Sequence, residues 1–382
     1  MFLKSGMKDR SVMKKALHIS PNVYESVSSA GGTKRIWEEL SKNYDEYHVF
    51  ARSKDNNCHI DRMGKIILHT IPNILNKTYP FFLTSYHYLK KLLKTEKFDI
   101  VICQCSIFGG YSAIKLLKGK TPILMEMHGY FYFDILEGEG VKNKVLSHII
   151  RYSFKHCNAI RTLNVDMSSK MNRLNIYSEH MYVVENRVSL EVFNRPKDNQ
   201  VIAEKVTLIS IGNFVECKGH RYALQSLKEL KERYDISLIL VSGGELKSEY
   251  EHFAKQHDLE VKLIEKCTQE ELVCIMRQAD IYIHTSNREG MPRVILEAMA
   301  MKLPVISSKA GFIEGTITHN YNGLLTEIGD VAGLVDAIEY LINSEDERIR
   351  LAENAYKDVL ERFEWNKCFE QYRALLEKVE NL

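Results

Sequence analysis

The sequence predicts an α/β protein built as two doubly wound, Rossmann-like domains in tandem, and three observations predict it. In both halves, short apolar runs alternate with segments of helical period, the pattern of parallel strands joined by crossover helices. The pattern breaks once, at 193–205 (FNRPKDNQVIAEK), a polar stretch with a proline and no apolar period, and then restarts. The length of 382 residues exceeds what one compact core ordinarily fills.

The elements follow in order. In the first half, 15–20 (KALHIS), 47–52, 66–71, 99–105, 122–129, 158–164 and 181–186 read as strands. Helical segments such as 31–44 and 82–98 separate them. In the second half, 206–214 (VTLISIGNF), 236–244, 261–265, 279–286 and 303–308 read as strands. The stretch 360–382 reads as one amphipathic helix. This divides the chain into a first domain over 13–192, a linker over 193–205, a second domain over 206–360 and a terminal helix over 361–382. Ligands of open α/β sheets lie at the carboxyl ends of the strands, so two such domains define a cleft between them.

Composition excludes several classes. Hydrophobic residues make up 45% and charged residues 27%, the balance of a globular chain. A formal net charge of +2 argues against a nucleic-acid binder. The eight cysteines include no Cys-x-x-Cys pair, and Cys103 and Cys105 alternate in an apolar run as small strand residues. This usage points to a reducing, cytoplasmic setting. The N-terminus has no apolar core followed by a cleavage pattern, and no run reaches the roughly 20 apolar residues that span a bilayer. No Asp-x-Asp pair and no His/Cys/Asp cluster with metal-ligand spacing occurs, so no metal is expected.

The richest stretch is 287–306, NREGMPRVILEAMAMKLPVI. A buried strand (DIYIHTS) ends in a Gly/Pro loop holding Glu289, and a helix follows. The first-turn amides of that helix, at Arg293, Val294 and Ile295, lack intrahelical partners and suit a phosphate. Glu289 beside them cannot bind phosphate but can accept hydrogen bonds from sugar hydroxyls. Glu297, inside the helix, can do the same for a ribose. Ordinary capping and a solvated helix carboxylate explain the same spacing, so spacing alone leaves both readings open.

The block 286–325, from SNREGMPRVILEAMA to the NGLL ending, resembles the signature of retaining glycosyltransferases of family 4, which have the GT-B fold. The resemblance implies that Glu289 contacts the donor sugar and Glu297 the donor ribose. The loop Gly290–Met291–Pro292 and the amides of Val294 and Ile295 would hold the diphosphate. It continues at 210–220 (SIGNFVECKGH), where Lys218 matches a lysine that brackets the diphosphate, while Asn213 stands where the family usually has arginine. A leaving diphosphate gains negative charge, and Asn213 brings none. His220 and Arg221 are nearby candidates to replace it. Gly31 and Gly32 resemble the family's Gly-Gly loop, where a missing side chain lets a ligand approach the backbone. His128 in MEMHGYFYFD matches a histidine that reaches across the cleft to the donor sugar. The segment 183–193 (VVENRVSLEVF) resembles a family segment in which glycine is usual at the position of Arg187. The end of the chain resembles a helix that crosses back to the first domain, with Trp365 as anchor.

The implied activity is retaining, metal-independent, hexosyltransferase-type transfer from a nucleotide-sugar donor to a glycan or lipid-linked acceptor, in polysaccharide or glycolipid assembly. No cofactor and no nucleic acid are implied. The stretch 76–97 mixes aromatics with lysines, as a helix lying on an anionic membrane surface does. The alternative is a non-catalytic, glycosyltransferase-like binding or accessory protein, for which Asn213 and Arg187 speak.

Overall fold

The computed structural model describes residues 13–176, 178, 180–194 and 205–382. Most of the predicted linker, 195–204, lies outside the described residues. The first domain holds eight strands: β1 (Lys15–Tyr24), β2 (Glu46–Ser53), β3 (His59–Met63), β4 (Ile66–Ile71), β5 (Ile100–Cys103), β6 (Ile123–Glu126), β7 (Ala159–Thr162) and β8 (Met181–Val183). They form one sheet in the order β3-β4-β2-β1-β5-β6-β7-β8, parallel except where β3 runs antiparallel to β4. The second domain holds six: β9 (Val206–Ile211), β10 (Ile236–Val241), β11 (Val261–Ile264), β12 (Ile281–His284), β13 (Val305–Ser308) and β14 (Leu324–Thr326). Their order is β11-β10-β9-β12-β13-β14, all parallel.

The second sheet has the dinucleotide-fold strand order, and β4-β2-β1-β5-β6-β7 repeats it in the first. The order reverses between β1 and β5 and between β9 and β12, which sets a crevice at each reversal. β2, β5, β6, β7 and β12 are buried almost throughout, as strands covered on both faces must be. β3 and β14 have no counterpart among the predicted strands. β3 is an exposed edge with no core face to write an apolar alternation, and β14 has three residues.

The expected single helix at the C-terminus is two pieces. A π-helical turn over Val359–Phe363 ends at Glu364, whose backbone is extended, and Trp365–Glu380 then forms the final helix. Glu364 caps that helix by accepting a hydrogen bond from the amide of Lys367. The break places Glu364 in a parallel bridge with Val188, so both chain crossings between the domains run side by side. The final helix packs on the first domain. Trp365, Phe369, Tyr372 and Leu376 join Trp37, Leu40 and Tyr47 in one buried cluster. The Arg35 guanidinium stacks 4.5 Å from the Trp365 ring centre, so Trp365 is the anchor the sequence suggested.

All eight cysteines are free. Among the described residues no helix is long and apolar enough to cross a membrane. One His/carboxylate group with ligand-like proximity, Glu46, His48 and Glu96, lies at the amino ends of the strands, away from the cleft. Lys15 pairs with both of its carboxylates, at 2.7 and 2.8 Å, so it is an ion-pair network.

Candidate active site

Two loops at the second domain's sheet reversal build one half of the site. The loop after β9 carries Asn213 and Lys218, and the loop after β12 carries Ser286 to Pro292. The amide of Asn287 donates to the carbonyl of Cys217 at 2.8 Å and ties the two together. This brings Lys218 Nζ to 2.6 Å from Glu289 Oε1. His284 Nε2, at the end of β12, lies 2.9 Å from the same oxygen, and Ser286 Oγ donates to it at 2.6 Å. Glu289 is only 8% exposed. Burial pushes its carboxyl up, but the hydrogen bonds and fields of His284 and Lys218 overcome this and hold it at about 2. All three bonds fall on Oε1. Among the described residues Oε2 receives none.

The helix Arg293–Ala300 starts immediately after this loop, with Pro292 at its cap and no side-chain capping bond. The amide of Ile295 turns back to the carbonyl of Pro292 at 3.3 Å. Among the described residues the amides of Arg293 and Val294 have no partner. Of the three first-turn amides expected to be free, Arg293 and Val294 are, and Ile295 is not. Glu297 lies one turn further, partly buried, and burial raises its carboxyl above the usual range against the pull of Arg293. It is not the solvated helix carboxylate that the bland reading required. Met291 is buried, and its carbonyl accepts from the Asn186 side chain at 2.6 Å, which pins the loop to the hinge.

The first domain supplies the opposite wall. His128 follows β6, half-exposed, with Nε2 2.9 Å from Glu126 Oε2. The other oxygen of Glu126 accepts from Arg161 at 2.7 Å and from the Tyr372 hydroxyl at 2.5 Å. Burial works against charge on Glu126, yet His128 and Arg161 hold its carboxyl well below the usual range. The two walls touch. A Cβ added to Gly290 would sit 2.4 Å from the carbonyl oxygen of His128, so only glycine permits this approach. Gly31 caps the first helix, Gly32–Ser41, with φ +55°, a conformation that side chains resist. Gly32 opens that helix at the edge of the same cleft. A cavity of about 380 Å³ lies between these walls.

The structure thus sets Lys218 on Glu289 and Gly290 against His128, with Glu297 on the helix that follows, while a Cβ on Gly31 or Gly32 would meet nothing within 4 Å. Asn213 is exposed at the rim and accepts from Ser242 Oγ at 2.9 Å. Neither suggested substitute supplies its missing cation. His220 is buried, with its ring nitrogens 3.2 Å from Ser210 Oγ and 2.9 Å from the Gly212 carbonyl. Burial pulls it down to about 4, which leaves it neutral near pH 7. Arg221 is turned outward to Glu216. Sequence reading missed Glu126, Arg161, His284 and Tyr372. Each sits in a strand or helix that looks purely structural, and only a charged residue inside an apolar run hinted at Glu126 and His284.

Comparison with known proteins accounts for nearly the whole chain. The family described as Glycosyl transferases group 1 matches residues 193–358, and that described as Glycosyltransferase Family 4 matches residues 32–192. The chain is 26% identical over 346 residues to an uncharacterized glycosyltransferase of Methanocaldococcus jannaschii, covering 87% of this chain and 93% of the relative. It is 24% identical to an N,N'-diacetylbacillosaminyl-diphospho-undecaprenol alpha-1,3-N-acetylgalactosaminyltransferase of Campylobacter jejuni, over 90% of this chain and 94% of the relative. Its fold is similar to that of sucrose-phosphate synthase from Thermosynechococcus elongatus, with TM-score 0.82, 16% identity and coverage of 96% and 99%. It is also similar to Anabaena Alr3699/HepE, solved in complex with UDP and glucose, with TM-score 0.73, 18% identity and coverage of 96% and 100%. These likenesses, with the two sheets, show the GT-B fold.

Proposed function

The chain belongs to the glycosyl transferases group 1 family, and from that premise we propose that it transfers a hexosyl group from a nucleotide-diphosphate sugar to an acceptor hydroxyl with retention of configuration. The observation that carries this reading is Glu289. It is a buried, ionised carboxylate with one oxygen locked by Lys218, His284 and Ser286, and the next residue, Gly290, packs against the His128 backbone. In this reading the diphosphate lies against the amides of Arg293 and Val294, with Lys218 beside it. The Lys218 ammonium has three donors, so it can bridge Glu289 and a phosphate together. No metal is then required. Glu297 accepts from the ribose hydroxyls, and its raised affinity for a proton reflects a burial that those hydroxyls would offset.

The sugar–phosphate bond breaks as the acceptor oxygen bonds to the same face of the anomeric carbon. The acceptor proton passes to the departing phosphate oxygen. No protein nucleophile takes part, and none is assigned. The catalytic set is His128, Glu289 and Lys218, which orient the sugar and stabilise the leaving charge. The relatives' activities support a glycan or lipid-linked acceptor and a place in polysaccharide or glycolipid assembly, and a cytoplasmic setting completes the proposal.

The non-catalytic alternative rests on Asn213, which leaves the diphosphate one cation short. Thermal shifts with UDP, GDP and ADP test donor binding. A ligand at about 100 times its Kd adds about 2.7 kcal/mol. One nucleotide is expected to stabilise the wild type, and Glu297→Ala to lose that shift. Silence from all three nucleotides would favour the non-catalytic reading.

Membrane contact belongs to the same proposal. Leu75 precedes the helix Tyr79–Leu92, and Tyr79, Leu83 and Tyr86 on that helix are exposed, as are Val141 and Val145 on the neighbouring helix Val141–His156. Lys142 stacks 5.0 Å from the Tyr79 ring and joins the two helices in one apolar, basic surface. We expect the protein to float with vesicles of anionic phospholipid and Leu83→Glu to abolish this. Equal flotation with neutral vesicles, or no effect of Leu83→Glu, would reject the contact.

A further inference from the structure

The cavity of about 380 Å³ is lined chiefly by the first domain and by Asn186 and Arg187, with Met291 of the Glu289 loop and Arg293 of the helix after it on the other side. Three arginines, Arg161, Arg187 and Arg293, face it with one carboxylate, Glu126. Glu126 is committed to Arg161, His128 and Tyr372. Arg187 is only 8% exposed, yet it makes no hydrogen bond or ion pair among the described residues, and its Nε is buried without a partner. Its guanidinium lies 4.1 Å from the Phe369 ring centre. That stacking occupies the face of the group but none of its five in-plane donors. A buried cation is costly unless its donors are met, and the cavity is the side from which an acceptor can reach the Arg187 guanidinium. Arg293 at the cavity mouth also lacks an ion pair among the described residues.

A second orphan lines the same cavity. His18 Nδ1 is 2.6 Å from the Tyr47 hydroxyl, while its buried Nε2 has no partner. Burial holds this ring at about 4, so it is neutral and can exchange one hydrogen bond with a hydroxyl. Arg187 itself is lowered only to about 9, by burial and by Arg161, and stays charged near pH 7. The backbone around it is fixed. Asn186 donates to the Met291 carbonyl, and the amide of Val188 donates to the carbonyl of Phe363 at 2.9 Å. The guanidinium is therefore preorganised at the junction of the two domains, where the family usually has a glycine.

Resting on the transferase reading, we propose that this cavity takes the acceptor and that the acceptor carries an oxyanion, a carboxylate or a phosphate, gripped by Arg187 with Arg293 at the mouth. Bidentate pairing with a planar carboxylate or with two phosphate oxygens would satisfy the donors that stacking leaves open. The hydroxyl to be glycosylated then lies beside His18 and His128, toward the donor.

The test uses the full chain with its best-binding nucleotide at saturation. The probes are methyl glucoside, the methyl glycoside of glucuronic acid, and glucose 6-phosphate, titrated calorimetrically. At least one anionic probe is expected to bind about tenfold or more tighter than the neutral one. Arg187→Met is expected to remove that preference while nucleotide affinity stays within about twofold, and Arg187→Lys to keep part of it. Preference for the uronate assigns a carboxylate, and preference for the sugar phosphate assigns a phosphate. Equal binding of neutral and anionic probes by the wild type, or an unchanged preference in a nucleotide-binding Arg187→Met, overturns this inference alone. If Arg187→Met fails to fold, the wild-type preference and its response to Arg187→Lys decide. A wild type that binds no nucleotide removes the transferase reading, and this inference with it.

Discussion

Glu289→Gln is expected to lower turnover by on the order of 10²- to 10³-fold, the cost of removing one preorganised electrostatic contact at a reacting centre. Glutamine preserves the shape and keeps an oxygen for Ser286. It removes the charge that holds Lys218 Nζ at 2.6 Å and His284 Nε2 at 2.9 Å. Lys218 would then lose the fixed position from which, on the proposed reading, it meets the diphosphate. The nucleotide's own thermal shift should survive, since Glu297 and the helix amides remain. Turnover within about threefold of wild type would reject the role. The same substitution has a stability signature. The carboxyl moves from an ordinary 4.5 to about 2 on folding, so the folded state binds its proton less readily than the unfolded chain. Its contribution is present in full above about 4.5 and is lost as pH falls toward 2. Unfolding measured across that window should lose this component in Glu289→Gln, and an unchanged acid profile would show that the carboxylate is not held as described.

Glu126→Ala is expected to destabilise the protein by about 3–5 kcal/mol, because it leaves Arg161 charged and buried with only carbonyl partners. Glu126 and Arg161 are each 2% exposed, so bulk solvent reaches the pair only through the cavity they line. Arg161 would keep its bonds to the carbonyls of Val184, at 3.1 Å, and Glu185, at 3.3 Å. The Tyr372 hydroxyl loses its acceptor as well, and Tyr372 lies on the final helix, so docking of that helix on the first domain should weaken too. Urea unfolding followed by tryptophan fluorescence reports this directly, since Trp37 and Trp365 sit in the cluster that docking forms. A loss below about 1 kcal/mol would mean that Glu126 does not carry this buried network.

These two residues show how unequally the site was written in the chain. Glu289 stands in a local pattern of strand, Gly/Pro loop, acid and helix, and the carboxylate eight positions on, Glu297, repeats the theme. Glu126 stands in an apolar run, where its charge and the nearby His128 are the only local hints of its role. Its partners Arg161 and Tyr372 lie 35 and 246 positions away. Arg187 had no account as a departure from the family's glycine until the fold placed it in a cavity beside the final helix.

By itself the sequence determined most strands of the two sheets, the restart between them and the Glu289 loop with its helix, because these rest on periodicity and short-range backbone chemistry. Strand and helix periods are set by residues within a few positions of one another, and a loop that stops a strand and starts a helix is local too. Only the tertiary structure decided which oxygen of Glu289 is locked, that His220 is neutral, that the terminal helix breaks at Glu364, and that Arg187 faces a cavity without a partner. Those outcomes depend on burial and on charges brought together from distant segments. Electrostatic energy falls with distance in space, and distance in space is what chain order does not record.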